Sequence, residues 1–390
     1  MIPAVMPTYS RFDLAFERGE GTALFTVDGT RYLDFTAGIA VCALGHCHPH
    51  LVETLVAQGH KLWHTSNLYQ VPNQIRLAER LIATSFADTA FFVNSGAEAG
   101  ELAIKVVRKY HSNKGNPERY RIIGCEGAFH GRTLATLAAA GNEKYLKGFG
   151  PPVAGFDHVP FGDLDAMRAA ITQETAGIIV EPIQGEGGVR AGSPAYLRGL
   201  RKIADEFSLM LIFDEVQCGM GRSGKLWAHQ YAGISPDVMM VAKGIGGGFP
   251  LGAVLATEAA AAGMIAGSHG STYGGNPLAT AIGNAVLDVV LAPGFFDHVA
   301  ERSSQLLAGL QGLVQRHPTI LAEARGEGLL LGIRCAVTNT DLVRELNSQK
   351  LLTVGAGDNV VRMVPPLTVS EAEVEEALAK IDAACRVLEG

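Results

Sequence analysis

Two runs of this chain contain no polar residue, and each ends in a charge. Leu209, Met210, Leu211, Ile212 and Phe213 lead into Asp214; Val238, Met239, Met240, Val241 and Ala242 lead into Lys243. An unbroken apolar run of this length suits a strand buried on both faces, and such strands belong to sheets covered by helices on either side. Ligands of these sheets sit beyond the carboxyl ends of the strands. Asp214 and Lys243 are therefore expected at one site. Two readings stay open on these residues alone. The charges meet solvent or a structural ion pair, or they serve a cofactor that needs an amine to bond its carbonyl and an acid to keep a ring nitrogen protonated. Pyridoxal 5'-phosphate makes both demands.

Between residues 49 and 256, strand-like runs (89–93, 121–125, 177–180, 209–213, 238–242) alternate with helix-like stretches (75–83, 98–110, 164–171, 194–207). That alternation predicts an α/β fold with a mostly parallel, helix-covered sheet. Residues 244–250 lead straight into another apolar run, 251–256, with no room for a crossover helix. Those two strands are expected to be antiparallel. Near the start, runs 23–27 and 30–35 flank Asp28-Gly29, a hairpin signal. Helices are expected over 276–291, 295–314 and 371–388. A chain of 390 residues suits two domains. We expect a β-rich segment (1–48) joining the small domain, a large α/β domain (49–275), and an interdomain helix with a smaller α+β domain (276–390).

A net charge of −7 with no Lys/Arg-rich run leaves no footprint for nucleic acid. No apolar stretch approaches the roughly 20 residues that span a bilayer, and no basic, apolar leader opens the chain. Six scattered cysteines without a CxxC read as reduced thiols. A cytoplasmic protein with no nucleic-acid or membrane partner is expected. His46-Cys47-His48-Pro49-His50 superficially suggests a metal cluster. Neighbouring side chains of an extended chain point to opposite sides, Pro49 interrupts any helix there, and no second Cys/His pair lies at finger spacing, so no metal is expected.

Several further segments carry chemistry. Asn94-Ser95-Gly96-Ala97-Glu98 follows a strand and opens a helix, whose free N–H groups attract phosphate. Phe129-His130-Gly131-Arg132 places a ring, an imidazole and a guanidinium after another strand. Glu181-Pro182-Ile183-Gln184-Gly185-Glu186-Gly187-Gly188 sets two acids in a Gly-rich loop, where acids are usually solvated. Gly270-Ser271-Thr272-Tyr273-Gly274-Gly275-Asn276-Pro277 offers hydroxyls before a helix. Arg362, within Val360–Pro366, is a lone charge in an apolar stretch and needs a carboxylate from protein or ligand.

In order and spacing, these segments together with 214–217 and 243–248 resemble the class-III aminotransferases of PLP fold type I, and among them the acetylornithine aminotransferases. The resemblance runs over essentially the whole chain. It implies that Lys243 bonds the cofactor and shuttles a proton, that Asp214 keeps the pyridine nitrogen protonated, and that Gln217 contacts the ring hydroxyl. Phe129 would stack on the ring. The Gly96 and Ala97 backbone would hold the phosphate, with Thr272 contributed by the partner subunit of a homodimer. Arg132 and Ser271 would contact the acylated amino acid, and Glu186 would mask or release Arg362 as the substrates alternate. The implied reaction moves the δ-amino group of N2-acetyl-L-ornithine to 2-oxoglutarate, in arginine biosynthesis. Rivals with the same chemistry use N-succinyl-diaminopimelate, succinylornithine or gamma-aminobutyrate.

Three positions bear on the resemblance. Gly100 replaces the family's usual Asn and is expected to face along its helix without touching the chemistry. Ile39 stands where enzymes for free ornithine usually carry Tyr, and Ser271 stands where gamma-aminobutyrate enzymes usually carry Gly. A nucleotide-linked dehydrogenase is disfavoured because a strand, not a helix, follows 244–248. A non-catalytic binding protein on the same fold would not need Lys243 and Asp214.

Overall fold

The computed structural model describes residues 2–390. Seven strands form its central sheet: β1 (Thr89–Val93), β2 (Arg121–Cys125), β3 (Phe156–Val159), β4 (Thr175–Val180), β5 (Met210–Asp214), β6 (Val238–Val241) and β7 (Gly252–Ala256). They lie in the order β1-β7-β6-β5-β4-β2-β3. All pairs from β6 to β3 are parallel, whereas β7 runs antiparallel to both β6 and β1. The expected reversal after β6 follows from a connection that holds only the short turn Lys243–Gly246.

Every residue of β4, β5, β6 and β7 is buried, because helices cover both faces. Ile212, Met240 and Val254 pack with the helix Gly96–Asn113. Leu211 and Phe213 point the other way, onto the helix Pro194–Phe207. That helix starts on Ser193, whose hydroxyl accepts the Tyr196 N–H, with Pro194 in the first turn where its missing N–H costs nothing. Tyr196, Leu197, Leu200, Ile203 and Ala204 make its buried stripe. Burying one such leucine contributes roughly 1.5–3 kcal/mol, so Leu200→Asp would detach it.

On the same side of the sheet as Met239 and Val241, the helices Pro49–Gly59, Pro72–Ala83 and Pro277–Val290 share one core. The C-terminal part forms an antiparallel sheet (Leu321–Glu327, Leu330–Cys335, Val360–Met363, Val354–Ala356) covered by helices Phe295–Arg316 and Glu371–Glu389. The hairpin Ala23–Thr26 and Arg31–Asp34 pairs with Leu351–Leu352, and Leu33 and Phe35 enter the C-terminal core.

Two local outcomes differ from the pattern of the sequence. Pro49 begins a helix rather than interrupting one, because the first turn tolerates proline. β3 contains Asp157 and His158 and lies at the sheet edge, where no continuous apolar run is required. The histidines near Pro49 are directed apart: His46 Nε2 lies 2.7 Å from Asp34 and His50 Nε2 3.1 Å from Asp288.

Candidate active site

The carboxyl ends of β5 and β6 open onto a cavity of about 380 Å³. Asp214, the last residue of β5, is 3% exposed, and Lys243 begins the turn after β6. Lys243 holds a left-handed backbone, φ 51°. That conformation costs a non-glycine residue about 1 kcal/mol and is kept only where its surroundings impose it.

Both oxygens of Asp214 have a partner. One oxygen is 2.8 Å from His130 Nδ1 and the other accepts the Val216 N–H at 3.0 Å. Burial opposes charge on His130 most strongly of any single influence, but the bond to Asp214 and the charges of Asp214 and Glu181 together outweigh it and raise the imidazole pKa. Burial, then the neighbouring Arg362 charge, lowers the Lys243 pKa. An amine that sheds its proton more readily is more often in the neutral state that bonds a carbonyl.

On another wall, the helix Gly96–Asn113 begins. Ser95 Oγ accepts the Glu98 N–H, and Glu98 reaches back to the Asn94 N–H at 2.6 Å. The N–H groups of Gly96 and Ala97 have no acceptor within the helix, and both residues line the cavity. Gly131 allows the loop bearing Phe129 to lie directly on this helix start: a Cβ there would sit 2.8 Å from Ala97 Cα. Phe129 forms part of the cavity wall, and Arg132 stacks its guanidinium 3.8 Å over the Tyr145 ring.

The structure thus gathers Lys243, Asp214, Gly96, Ala97, Phe129, Gln217 and Arg132 around one cavity. Gln217 links it to the second predicted pair. Its Oε1 accepts from Arg362 Nη1 at 2.8 Å, and Arg362 Nη2 lies 2.7 Å from Glu186. Ser271 and Thr272 do not line their own chain's cavity. Ser271 Oγ accepts the Gly274 N–H at 2.9 Å, and Thr272 is exposed.

An amine, an acid, a planar ring and an anion-accepting helix start fit a flat cofactor with a phosphate, a ring nitrogen and an electrophilic carbon. Glu181 belongs to the same wall, although its sequence context suggested a solvated loop acid. It is 4% exposed and accepts the Phe129 N–H at 3.0 Å. Burial, then the Asp214 charge, pushes its carboxyl well above the usual range. Its signal was available, since Glu181 follows β4 as directly as Asp214 closes β5. Gly100 is also a correction. A Cβ there would lie 2.8 Å from Thr136 Cγ2 and 3.1 Å from the His130 carbonyl, so this position packs beneath the His130 loop.

The family model for class-III aminotransferases matches residues 5–385. Acetylornithine aminotransferase 1 of Bradyrhizobium diazoefficiens is 60% identical over 386 residues, covering 99% of this chain and 95% of that protein. Acetylornithine aminotransferase of Rhodobacter capsulatus is 59% identical over 389 residues, covering 100% and 99%. Among solved structures, N-acetylornithine aminotransferase of Stenotrophomonas maltophilia is 36% identical with a TM-score of 0.86, covering 98% of each chain. Ornithine aminotransferase of Toxoplasma gondii is 29% identical with a TM-score of 0.95, covering 99% of this chain and 93% of that one.

Proposed function

Because this chain belongs to the class-III aminotransferase family and is a transaminase, we propose that it moves the δ-amino group of N2-acetyl-L-ornithine to 2-oxoglutarate. The products are N-acetyl-L-glutamate 5-semialdehyde and L-glutamate, a step of arginine biosynthesis. The observation that carries the chemistry is the convergence of Lys243 and the Asp214–His130 pair at adjacent strand ends of one cavity. The acyl preference rests on the likeness to acetylornithine aminotransferases at about 60% identity over nearly the full length.

Bound pyridoxal 5'-phosphate supplies an aldehyde that bonds amines and a ring that spreads negative charge. The Gly96 and Ala97 N–H groups are suited to its phosphate, Phe129 to its ring face, Gln217 to its hydroxyl and Asp214 to its ring nitrogen. Asp214 would keep a proton there, and His130, itself disposed to hold a proton, keeps Asp214 oriented. Lys243 Nζ would take the proton from the amine-bearing carbon of the substrate and deliver it to the former aldehyde carbon of the cofactor. Arg132 holds the acylated amino acid, its guanidinium binding the carboxylate, and Ser271 reaches that substrate, like Thr272, from across the dimer interface. Glu186 covers Arg362 while the neutral-ended donor reacts, and uncovers it for the α-carboxylate of glutamate.

The acting unit in this reading is a homodimer in the cytoplasm, with Thr272 reaching the partner's phosphate site. Asn67 ties down the Thr272 loop through the Ser271 and Gly274 carbonyls, and His64 packs on Tyr273 of that loop; Tyr273 and the neighbours of Asn67, Leu68 and Tyr69, are exposed. Such apolar exposure supports an interface. Among the described residues no single helix is long and apolar enough to cross a membrane. Stopped-flow half-reactions of the loaded enzyme test the substrate directly. N2-acetylornithine should bleach the visible cofactor band with higher efficiency than free ornithine, gamma-aminobutyrate or N-succinylated amines; a free or differently acylated amine outperforming it would reject this assignment.

A further inference from the structure

Resting on the reading of Glu186 and Arg362 as the pair that separates the two substrates, we infer that Arg190 is the second partner of Glu186. It receives the carboxylate that leaves Arg362, and so helps set affinity for the dicarboxylic substrate.

The backbone around Glu186 leaves little freedom. A Cβ at Gly185 would lie 2.0 Å from Gln217 Oε1, and one at Gly187 would lie 2.5 Å from the Gly127 carbonyl. The Glu186 carbonyl itself accepts the Gly357 N–H at 2.8 Å. Arg362 is equally fixed: it is 0% exposed and donates to Gln217. Exchange is therefore a rotation of the Glu186 side chain alone. That side chain is 29% exposed and lines a second cavity, of about 980 Å³, which shares Phe129 with the first.

A carboxylate released from a buried guanidinium is stabilised by another cation within reach. Three line this second cavity: Lys144, Arg190 and Arg325. Arg325 is already committed, through Nε and Nη2 to the Gly188 carbonyl and through Nη2 to Asp358 at 2.6 Å. Lys144 sits exposed on the short helix Glu143–Leu146. Arg190 has no acidic partner among the described residues; its guanidinium lies 5.4 Å from the Phe161 ring. It also pairs with Gln184 across the two-stranded ladder whose loop carries Glu186, so one hairpin presents both charges.

The test compares Arg190→Met with Arg190→Lys and Lys144→Met in the cofactor-loaded enzyme. Two quantities are read: the ratio of half-reaction efficiencies for 2-oxoglutarate and N2-acetylornithine, and the calorimetric affinity for glutarate, which has two carboxylates and no reacting carbonyl. Arg190→Met should lower the ratio and glutarate affinity about tenfold, as for loss of one charge-assisted bond, and Arg190→Lys should recover most of it. In a Glu186→Gln background, Arg190→Met should change neither, because no carboxylate remains to be received. Arg190→Gln repeats the test if the methionine variant does not fold. An equal loss in the Glu186→Gln background would overturn the inference, since Arg190 would then attract the substrate directly. A loss confined to Lys144→Met would overturn it in favour of Lys144. If Glu186→Gln alone leaves the ratio unchanged, the switch reading fails first and this inference with it.

Discussion

Two acid–base pairs stand beside the same cavity and are built in opposite ways. Asp214 and His130 lie 2.8 Å apart with side chains 3% and 0% exposed. Glu186 and Arg362 lie 2.7 Å apart, but only the arginine is closed off: it is 0% exposed and the glutamate 29%. Separating the first pair would strand a charge in the interior on both sides, a loss of about 3–5 kcal/mol when one partner of such a pair is removed. Separating the second strands only Arg362, and a substrate carboxylate can replace the one that left. A pair closed on both sides polarises permanently; a pair open on one side can exchange.

The largest effect expected from the closed region is at Lys243. Lys243→Ala should abolish turnover while circular dichroism still reports a folded protein. Turnover near that of the parent would remove Lys243 from the chemistry. Asp214→Asn comes next. An amide cannot hold a positive ring nitrogen as a carboxylate does, and preorganised electrostatics is usually the largest contribution to catalysis. We expect a loss of several orders of magnitude in kcat; a loss below about tenfold, or roughly 1.4 kcal/mol, would show that Asp214 does not face that nitrogen.

In the open pair the effect is smaller and selective. Glu186→Gln should uncover Arg362 permanently and shift half-reaction efficiency toward glutamate over N2-acetylornithine by about 1–3 kcal/mol. Equal slowing with both donors would mean that Glu186 only supports the fold, and the contrast drawn above would collapse.

The smallest effect belongs to a third pair, Asp34–His46, which lies outside the cavity wall and serves as a control. Its bonds to Asp34, then Cys42, raise His46 from the ordinary 6.5 to about 10. Because the folded value is the higher one, the stabilisation is complete below 6.5 and is lost as pH rises through about 10. Thermal scans should show His46→Gln melting about 2–4 °C below the parent near neutral pH, with the gap closing toward pH 10 and kcat little changed. A gap that does not vary with pH would assign the effect to packing.

Much of this architecture was legible because burial on both faces leaves its mark on composition. β5 is apolar up to its terminal Asp214 and β6 is apolar throughout, so their ends and the charges there could be located from the sequence. The hairpin at Asp28-Gly29 and the antiparallel β7 followed from turn chemistry and connection length in the same way. β3 left no such mark, since an edge strand tolerates Asp157 and His158. Glu181 was misleading because a loop acid is normally solvated, and only the packing of Phe129 and Asp214 around it made it a wall of the site.

By itself, then, the order of residues determined which segments are buried strands, where their ends fall, and which chemistry stands at those ends. These are local properties, written in the periodicity and length of apolar runs. Tertiary structure decided the rest: that Asp214 meets His130, that Gln217 joins Arg362 to the cavity, that Gly100 packs under the His130 loop, and that Arg190 shares a hairpin and a cavity with Glu186. Each of those contacts depends on how loops from different strands converge. No periodicity records that convergence, because it is set by the packing of the whole sheet rather than by any one segment.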